Sequence, residues 1–448
     1  RFREDGVRDV VKDVFLPWYN AFRFFVLEAQ RFEATSGRFS PSVPAVITPD
    51  GQGSALDRWI ISEQQGLTSF VHEELAAYRL YTIVPRLVAF LGDLTNWYVR
   101  LSRDRMRGAH GSDEAFTALC TLYDVLLSTS ILMAPVTPFL TELMYQTLAR
   151  ALPDGHVLKA ESVHFVMIPK ARDDAVDAGI ATAVRRLQSV IELGRTCRDR
   201  RKVGLKTPLR RLTIICRSQA TVQDLKMLQH HLEDELNLME VDFRTDMDAI
   251  QLFASLNFKA LGKRLGKDMK KVQQEAKALS QEELFRFERD GEIVLCGHVL
   301  TSDDMTLARH VANVTDPNME ACGNAEAAVV ADFTSDPELV ELAAAREIAT
   351  RIQKLRKVAG LQQDMPVDIW LGVQRGLGDQ PAQDLAQVLH RRRDAIERRL
   401  RRPVVVLDSA PDVSDEVLGE GVVARETLDL GGDFGRDAVI ATLTLPRA

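Results

Sequence analysis

Residues 94–105 read Leu-Thr-Asn-Trp-Tyr-Val-Arg-Leu-Ser-Arg-Asp-Arg, and this stretch best indicates how the first part of the chain folds. On an α-helix, Asn96, Arg100, Arg103 and Arg107 recur at i, i+4, i+7 and i+11, so their side chains share one polar, basic face. The opposite face is apolar and consists of Leu94, Trp97, Tyr98 and Leu101. The stretch therefore predicts an amphipathic helix that packs on other helices and presents guanidinium groups to solvent.

Helical spacing continues on both sides of this stretch. Apolar residues recur at helical intervals over residues 57–80, 82–107, 112–133 and 137–151, and an earlier stripe begins at Val7. Glycine and proline mark the breaks, which are a loop over residues 36–54 and the positions Gly108, Gly111, Pro135 and Pro138. This pattern predicts an all-α antiparallel bundle of about five helices over residues 1–170.

The pattern changes after residue 170. Helical stretches there alternate with short β-like runs, at residues 212–216, 239–243, 293–295, 327–333, 367–371 and 404–407. Such alternation predicts α/β or α+β domains, in which helices pack on sheets. We expect a first α/β unit at 171–250, a basic helix and β linker domain at 251–325, and a second α/β unit at 326–448.

Two basic segments suggest an internal repeat. When the chain is shifted by 156 residues, residues 195–205 overlay residues 351–361, with Arg198 on Lys354 and Gly204 on Gly360. Each segment is followed by a strand, a polar helix and a second strand. We therefore expect two copies of a helix–strand–helix–strand unit, each with a glycine at the C-terminus of its first helix. The alternative is chance matching of two Arg/Lys-rich segments.

Positive charge is concentrated in five windows of a chain that is acidic as a whole. The 448 residues carry a formal net charge of −7. The windows sum to +24 and cover residues 100–107, 195–211, 259–271, 351–357 and 391–402. Such clustering attracts a polyanion locally while the protein stays soluble. The alternative is that these windows are solvated helix faces with ordinary salt bridges.

Basic helix faces with one-turn spacing suit RNA, because guanidinium groups can contact successive phosphates or stack on unpaired bases. We predict RNA contacts at Asn96, Arg100, Arg103, Arg107, Arg195, Arg198, Arg201, Lys202, Lys263, Lys267, Arg351 and Lys354. Lys263, Lys267 and Lys270 are expected on one face of a single helix. We expect Trp97 and Tyr98 to pack in the core, with base stacking as the alternative.

Motifs that would support catalysis are absent from the sequence. There is no Cys/His metal constellation, no Gly-x-Ser-x-Gly elbow and no His-Glu-x-x-His motif. The five cysteines never form Cys-x-x-Cys, which indicates reduced thiols rather than a zinc site. No signal peptide or membrane-spanning run is recognised. Because the chain begins with Arg1 rather than Met, we expect it to be part of a longer protein.

Several segments resemble a known family. Four of them, at residues 16–20, 56–60, 96–100 and 133–142, resemble in this order the anticodon-binding helical domain of the isoleucyl-, valyl- and leucyl-tRNA synthetases. Arg100 followed by Ser102 and Arg103 resembles the isoleucyl branch. The resemblance continues into the C-terminal junction region of the eukaryote-type isoleucyl enzymes, at residues 261–264, 291–294 and 346–357. It covers the chain to about residue 375.

The resemblance implies part of a cytoplasmic class I ligase that charges tRNA(Ile) with isoleucine, using ATP and Mg²⁺. The adenylate-forming motifs His-Ile-Gly-His and Lys-Met-Ser-Lys-Ser and the editing domain of that family are not found here. We therefore expect this chain to be inactive alone, to need no cofactor, and to bind tRNA(Ile) but neither DNA nor a membrane. The alternatives are a valyl or leucyl enzyme, or a scaffold that binds proteins of a synthetase complex.

Overall fold

The computed structural model describes the chain in two compact units, which we call the helical unit (Arg1–Gln188) and the α/β unit (Ser189–Ala448). The described residues are 3–41, 53–245, 250–311, 316–324, 326–334, 336–361, 365–376, 384–407, 422–430, 434 and 437–445. The chain is thus a mixed α/β protein of more than one domain, as the alternation of patterns predicts.

The helical unit consists mainly of helices, with an irregular segment that contains three 3₁₀ turns between the last two. Its α-helices are α1 (Glu4–Val10), α2 (Leu16–Ser36), α3 (Ala55–Ala76), α4 (Leu80–Gly92), α5 (Val99–Leu101), α6 (Arg103–Met106), α7 (Ser112–Met133), α8 (Pro138–Leu148) and the first part of α9 (Ala178–Arg201). Wider, π-helical turns lie at Val11–Phe15 and Asp93–Tyr98. The predicted breaks at Gly108, Gly111 and Pro138 are confirmed, because the two glycines have positive φ and Pro138 begins α8. Residues 42–52 of the predicted loop lie outside the described residues.

Helix α7 forms the centre of the helical unit. It packs against α2, α3, α6 and α8, and most of its side chains are buried. Helix α7 is long and apolar enough to cross a membrane, although the sequence contains no uninterrupted apolar run of that length. Because most of the helix is buried against its neighbours, it is explained as the core helix of this unit.

The basic stretch at 94–105 does not form one regular helix. A π-helical turn, Asp93–Tyr98, extends α4, and Ser102 interrupts the helix between α5 and α6 with φ −95° and ψ 3°. Tyr98 is fully buried and Trp97 is half-buried. The expectation of core packing is therefore met in full at Tyr98 and in part at Trp97.

The α/β unit contains the remaining helices and strands. Its helices after α9 are α10 (Gln219–Met227), α11 (Gln229–Leu236), α12 (Phe258–Leu265), α13 (Met269–Ala278), α14 (Gln281–Asp290), α15 (Pro337–Val358) and α16 (Leu385–Leu400). Its strands are β1 (Leu209–Cys216), β2 (Leu238–Arg244), β3 (Ile250–Leu256), β4 (Glu292–Leu295), β5 (His298–Thr301), β6 (Met305–Val311), β7 (Met319–Gly323), β8 (Ala327–Asp332), β9 (Asp368–Gln374), β10 (Val404–Leu407), β11 (Val422–Asp429) and β12 (Ala438–Thr444).

Two four-stranded sheets share one strand order. The first is β2-β1-β8-β7 and the second is β10-β9-β12-β11. In each sheet, the two strands joined by helical connections are parallel, and the other pairs are antiparallel. Helices α15 and α16 cover the second sheet with a shared apolar core. Strands β7 and β8 belong to the first sheet, so the expected boundary at residue 325 divides one sheet.

Helix α9 approaches the first sheet's helix α11 very closely. A Cβ atom at Gly194 would lie 2.5 Å from Leu236 Cδ1, so only glycine fits there without a shift. Helix α9 ends at Arg201, and the next residue, Lys202, has φ +55°. The expectation that Gly204 provides this left-handed residue is wrong, because Gly204 lies three residues beyond the helix end and has no positive φ.

A smaller body, which the chain forms between strands β2 and β7 of the first sheet, consists of the pairs β3-β6 and β4-β5 with helices α12–α14. Its core contains Leu261, Val272 and Phe287. The expected single helix through residues 263–270 is wrong, because Gly266 adopts φ +50° and a 3₁₀ turn, Gly266–Asp268, separates α12 from α13. The helical ladder cannot continue through a left-handed residue.

Candidate nucleic-acid interface

Three of the predicted RNA-binding side chains lie exposed in the helical unit. Asn96 belongs to the π-helical turn, Arg100 to α5 and Arg103 to α6, and all three are exposed. Arg107 follows α6 and is about one quarter exposed. The wide turn and the break at Ser102 change the helical phase, yet the polar side chains still face solvent while Leu94 and Tyr98 are buried.

The ring of Phe24 brings two of these arginines together. The Cζ atom of Arg103 lies 5.6 Å from the centre of this ring, and that of Arg107 lies 5.7 Å from it. Both distances are within the range of cation–π attraction. Phe24 lies on α2, so the contact joins two helices that are distant in sequence.

Glu28 lies one helical turn after Phe24 and neutralises Arg107 but not Arg103. Its buried carboxylate accepts from Arg107 Nε at 3.2 Å and from Arg31 Nη1 at 3.4 Å. Arg103 forms no ion pair within the described part of the chain. The sequence analysis missed Phe24 and Glu28, although Phe24, Glu28 and Arg31 share one helix face at i, i+4 and i+7.

A buried network holds the basic segment in place. Arg105 donates to Asp57 from Nη2 at 2.6 Å and from Nη1 at 3.2 Å, and the Tyr98 hydroxyl donates to the same carboxylate at 2.7 Å. Arg105 also donates from Nε to Glu114 at 2.9 Å. Burial, assisted by the Asp57 charge, raises the pKa of Tyr98 well above its usual value, so the hydroxyl stays protonated as a donor.

Arg198 has a different environment from Arg103. It is only 2% exposed, and its guanidinium donates to the backbone oxygens of Gly204 at 3.0 Å, Thr207 at 2.9 Å and Leu236 at 2.5 Å. Burial, with a contribution from Arg346, lowers its pKa to about 10. The RNA contact predicted for Arg198 is therefore inconsistent with the structure, because these donors are already used inside the protein.

The neighbours of Arg198 are mostly paired with acids. Arg195 contacts Glu192 at 2.6 Å and Glu235 at 2.8 Å. Arg201 contacts Glu320 at 3.4 Å and donates to the backbone oxygens of Pro317 and Met319. Lys202 is exposed. For most of this window, the salt-bridge alternative describes the structure better than a free basic surface.

The remaining predicted contacts lie on separate elements of the α/β unit. Lys267 is exposed in the 3₁₀ turn between α12 and α13, and Lys354 is exposed on α15. Arg351 pairs with Glu347 at 2.9 Å. Lys263 lies on α12, but its side chain is outside the described residues. The structure thus brings Arg103 and Arg107 together at Phe24 and leaves Asn96 and Arg100 exposed on the same segment, whereas the other predicted residues lie on elements of the α/β unit.

The sequence of the helical unit matches a known domain. The family described as the anticodon-binding domain of tRNA ligase matches residues 57–214, which include the basic segment and its buried network. The chain contains an anticodon-binding domain of the tRNA ligases. The exposed arginines of α5 and α6 are therefore part of a domain type that serves tRNA recognition.

Isoleucine–tRNA ligases are among the proteins that are similar to more than four fifths of this chain. The probable cytoplasmic isoleucine–tRNA ligase of Dictyostelium discoideum is 42% identical over 372 residues, 83% of this chain and 34% of the relative. The cytoplasmic enzyme of Mus musculus is 42% identical over 377 residues, 81% of this chain and 29% of the relative. That of Arabidopsis thaliana is 40% identical over 375 residues, 83% of this chain and 31% of the relative.

These matches confirm the resemblance to the isoleucyl branch. Residues 57–214 match the anticodon-binding domain of the tRNA ligases, and the region that is similar to isoleucine–tRNA ligases also includes most of the α/β unit. The chain spans about a third of the length of the relatives it matches.

Proposed function

We propose that this chain is the tRNA-binding portion of a cytoplasmic isoleucine–tRNA ligase, and that it binds tRNA(Ile) through the basic segment of its anticodon-binding domain. The observation that carries the proposal is the position of Arg100 and Arg103, which are exposed on a segment anchored by the buried Asp57–Arg105 pair. A rigid support matters because a positioned guanidinium loses less entropy when it binds.

The contacts around Arg103 favour an RNA ligand. A guanidinium with no carboxylate partner in the described residues can neutralise a phosphate without first breaking an ion pair. Phe24 attracts the cation without cancelling its charge, so the group remains available to a phosphate or to the face of an unpaired base. Asn96 adds a neutral amide that can donate to and accept from a base edge.

The structure narrows the set of residues that we propose for tRNA binding. We no longer propose Arg198 as a tRNA contact, because its N–H groups donate to carbonyls inside the protein. Three further arginines are not in the proposed set, because each is bonded to a carboxylate or a backbone carbonyl: Arg195, Arg201 and Arg351. The proposed set is Asn96, Arg100, Arg103 and Arg107 in the helical unit, with the exposed Lys202, Lys267 and Lys354 as additional phosphate contacts.

Aminoacylation itself is proposed for the full-length enzyme. There, ATP and Mg²⁺ would serve adenylate formation on residues that this sequence does not contain, and this chain alone would be inactive and need no cofactor. Its contribution would be discrimination, since binding energy gained far from the reacting atoms can be used to seat the acceptor end. Protein partners of a synthetase complex would be additional to tRNA.

We also propose that the α/β unit arose by duplication. The two sheets share their strand order, and helices α9 and α15 also end in the same way. After each helix, a backbone N–H bonds to the carbonyl five residues earlier, from Val203 N to Arg198 O at 2.9 Å and from Leu361 N to Arg356 O at 3.0 Å. Arg356, like Arg198, is buried and donates to a loop carbonyl, that of Met365 at 3.2 Å. This correspondence pairs Arg198 with Arg356, a shift of 158 residues, whereas the sequence comparison used a shift of 156 and paired Arg198 with Lys354.

Filter binding with purified tRNAs across a salt series tests the proposed function. Binding of tRNA(Ile) should be tighter than that of valine or leucine tRNAs, and its affinity should fall steeply with ionic strength, with a slope that reports the number of neutralised phosphates. Equal binding of the three tRNAs would reject the isoleucine assignment. No salt-dependent tRNA binding would reject the basic segment as an RNA site and favour a protein-binding scaffold.

A further inference from the structure

Phe24 lies at the edge of the packed face of helix α2. Phe22 and Phe25 on the same helix are buried in the core of the helical unit. Arg23 and Leu27, by contrast, are exposed. Phe24 itself is half-buried, so part of its ring is open to groups outside the core. The residues proposed above for tRNA binding do not include it.

The ring of Phe24 contacts two guanidinium groups from a segment about eighty residues further along the chain. The Cζ atoms of Arg103 and Arg107 lie over the ring, 5.6 Å and 5.7 Å from its centre. Each cation is attracted by the negative face of the aromatic system. One side chain of α2 therefore holds two like charges of the basic segment close together.

Glu28 makes the two arginines different. Its carboxylate accepts from Arg107 Nε at 3.2 Å, so Arg107 has an acidic partner as well as the ring. Arg103 contacts the ring but forms no ion pair with any residue that the structure describes. Arg103 therefore keeps its full positive charge, and the contact with Phe24 restrains its side chain.

We propose that Phe24 is a positioning residue of the tRNA site, and that its ring orders the Arg103 side chain for contact with a phosphate of the bound tRNA. This inference rests on the proposed function and adds to it a residue on a second helix. An arginine side chain loses rotamer freedom when it binds a phosphate, and this loss weakens the complex. Because the ring already restricts Arg103 in the free protein, a smaller loss remains on binding.

An aromatic ring suits this task better than a carboxylate does. A carboxylate would also restrict the arginine, but it would neutralise the charge and compete with the phosphate for the same N–H donors. A ring attracts the cation through its quadrupole and leaves the charge in place. The Arg107–Glu28 pair shows the first arrangement, and the contact of Arg103 with Phe24 shows the second. We therefore expect Arg103 to contribute more to tRNA binding than Arg107.

Filter binding of tRNA(Ile) to variants of the whole chain, repeated at several salt concentrations, tests the proposal. Phe24→Leu keeps an apolar side chain and removes the ring, so the affinity should fall about 2- to 10-fold through the added cost of ordering Arg103. The salt slope should stay as in the wild type, because no charge is lost. Arg103→Ala should lower both the affinity and the slope. Phe24→Tyr keeps the ring and should bind like the wild type.

Three further measurements separate this role from general packing. Phe32→Leu is the matched control and should keep the affinity, because Phe32 is a half-buried ring of the same helix that packs on the rings of Phe39 and Phe116. In the Arg103→Ala background, Phe24→Leu should cause no further loss, because the side chain that the ring orders is gone. In the free wild-type protein, the ring current of Phe24 should shift the Arg103 Nε–H proton upfield in NMR spectra. This last result does not depend on the folding of any variant.

The outcomes distinguish this inference from the proposed function. Failure of the wild-type chain to bind tRNA(Ile) would reject both. Binding that Arg103→Ala weakens and Phe24→Leu leaves unchanged would reject the role of Phe24 alone. That role would also be rejected by additive effects of these two substitutions, by an equal loss of affinity in Phe32→Leu, or by an Arg103 Nε–H signal without a ring-current shift.

Discussion

Arg105 and Asp57 form a two-point ion pair, with Nη2 2.6 Å from Oδ2 and Nη1 3.2 Å from Oδ1. The pair joins α6 to the start of α3, and the carboxylate is completely buried. It therefore connects the segment that carries Arg100 and Arg103 to the core of the helical unit. Arg105 therefore has a structural role, whereas Arg100 and Arg103 face solvent.

Loss of this pair should unfold the helical unit more easily. Arg105→Leu leaves the Asp57 carboxylate buried without its main partner, and we expect the free energy of unfolding to fall by about 3–5 kcal/mol. Urea denaturation followed by circular dichroism measures the change. Arg8→Ala, which removes an exposed pair with Glu4, is the control and should have no measurable effect. An Arg105→Leu protein as stable as wild type would show that the pair does not anchor the segment.

Removal of the exposed arginines should weaken tRNA binding and leave stability unchanged. Arg100→Ala and Arg103→Ala should each reduce the binding free energy by roughly 1–3 kcal/mol and lower the salt slope by about one unit per lost phosphate contact. Filter binding at several salt concentrations measures both quantities. Arg86→Ala is the matched control, since Arg86 is an exposed cation of the same unit and pairs with Glu63. If Arg86→Ala weakens binding as much as Arg103→Ala does, general charge rather than this site explains the affinity.

Arg198 should behave in the opposite way. Arg198→Met leaves the carbonyls of Gly204, Thr207 and Leu236 without their donor, at a cost of about 1–3 kcal/mol for each one that stays buried and unpaired. Thermal unfolding should therefore move to lower temperature, and the folded protein should bind tRNA with unchanged affinity. Lys202→Ala is the comparison: it should keep the melting temperature and reduce tRNA binding. Normal stability of Arg198→Met combined with weak binding would reverse this assignment.

Asp124 should make the helical unit less stable at neutral pH than at acid pH. Its Oδ2 atom is buried without a hydrogen-bond partner, and burial raises its pKa from 3.8 to about 6, against a smaller opposing effect of Arg172. The folded state then holds a proton that the unfolded state releases, so this residue's contribution to stability falls as pH rises from about 4 to about 6 and stays low above that.

Substitution of Asp124 tests this pH dependence. Asp124→Asn should stabilise the protein at pH 7.5 by on the order of 1–2 kcal/mol, because the residue as a whole is only half-buried, and should have little effect at pH 4. Unfolding midpoints at the two pH values give the difference directly. A stabilisation that is equal at both pH values would mean that ionisation of Asp124 is not its cause.

The periodicity of apolar residues predicted the helices and strands well where one face of the element is buried and the other is exposed. The helices predicted at 57–80, 112–133 and 137–151 and the strand runs at 212–216, 239–243 and 404–407 correspond to observed elements, whereas the run at 82–107 is divided into several. Strands β11 and β12 were not predicted, although β12 is buried along its whole length. A short run that is apolar on both faces lacks the alternation that identifies a strand, so its pairing with β9 depends on the tertiary structure.

The role of each arginine depended on the fold. Arg103 and Arg198 look alike in the sequence, since each lies in a basic segment at the end of a helical run. Their difference arises from residues far along the chain: the ring of Phe24 leaves the Arg103 charge exposed, whereas the carbonyl of Leu236 and the loop after α9 enclose Arg198. The sequence by itself determined the family, the helical periodicity and the location of positive charge, because these are properties of local residue order. Only the tertiary structure decided which charges face solvent, because burial and ion pairing are set by the partners that folding brings near.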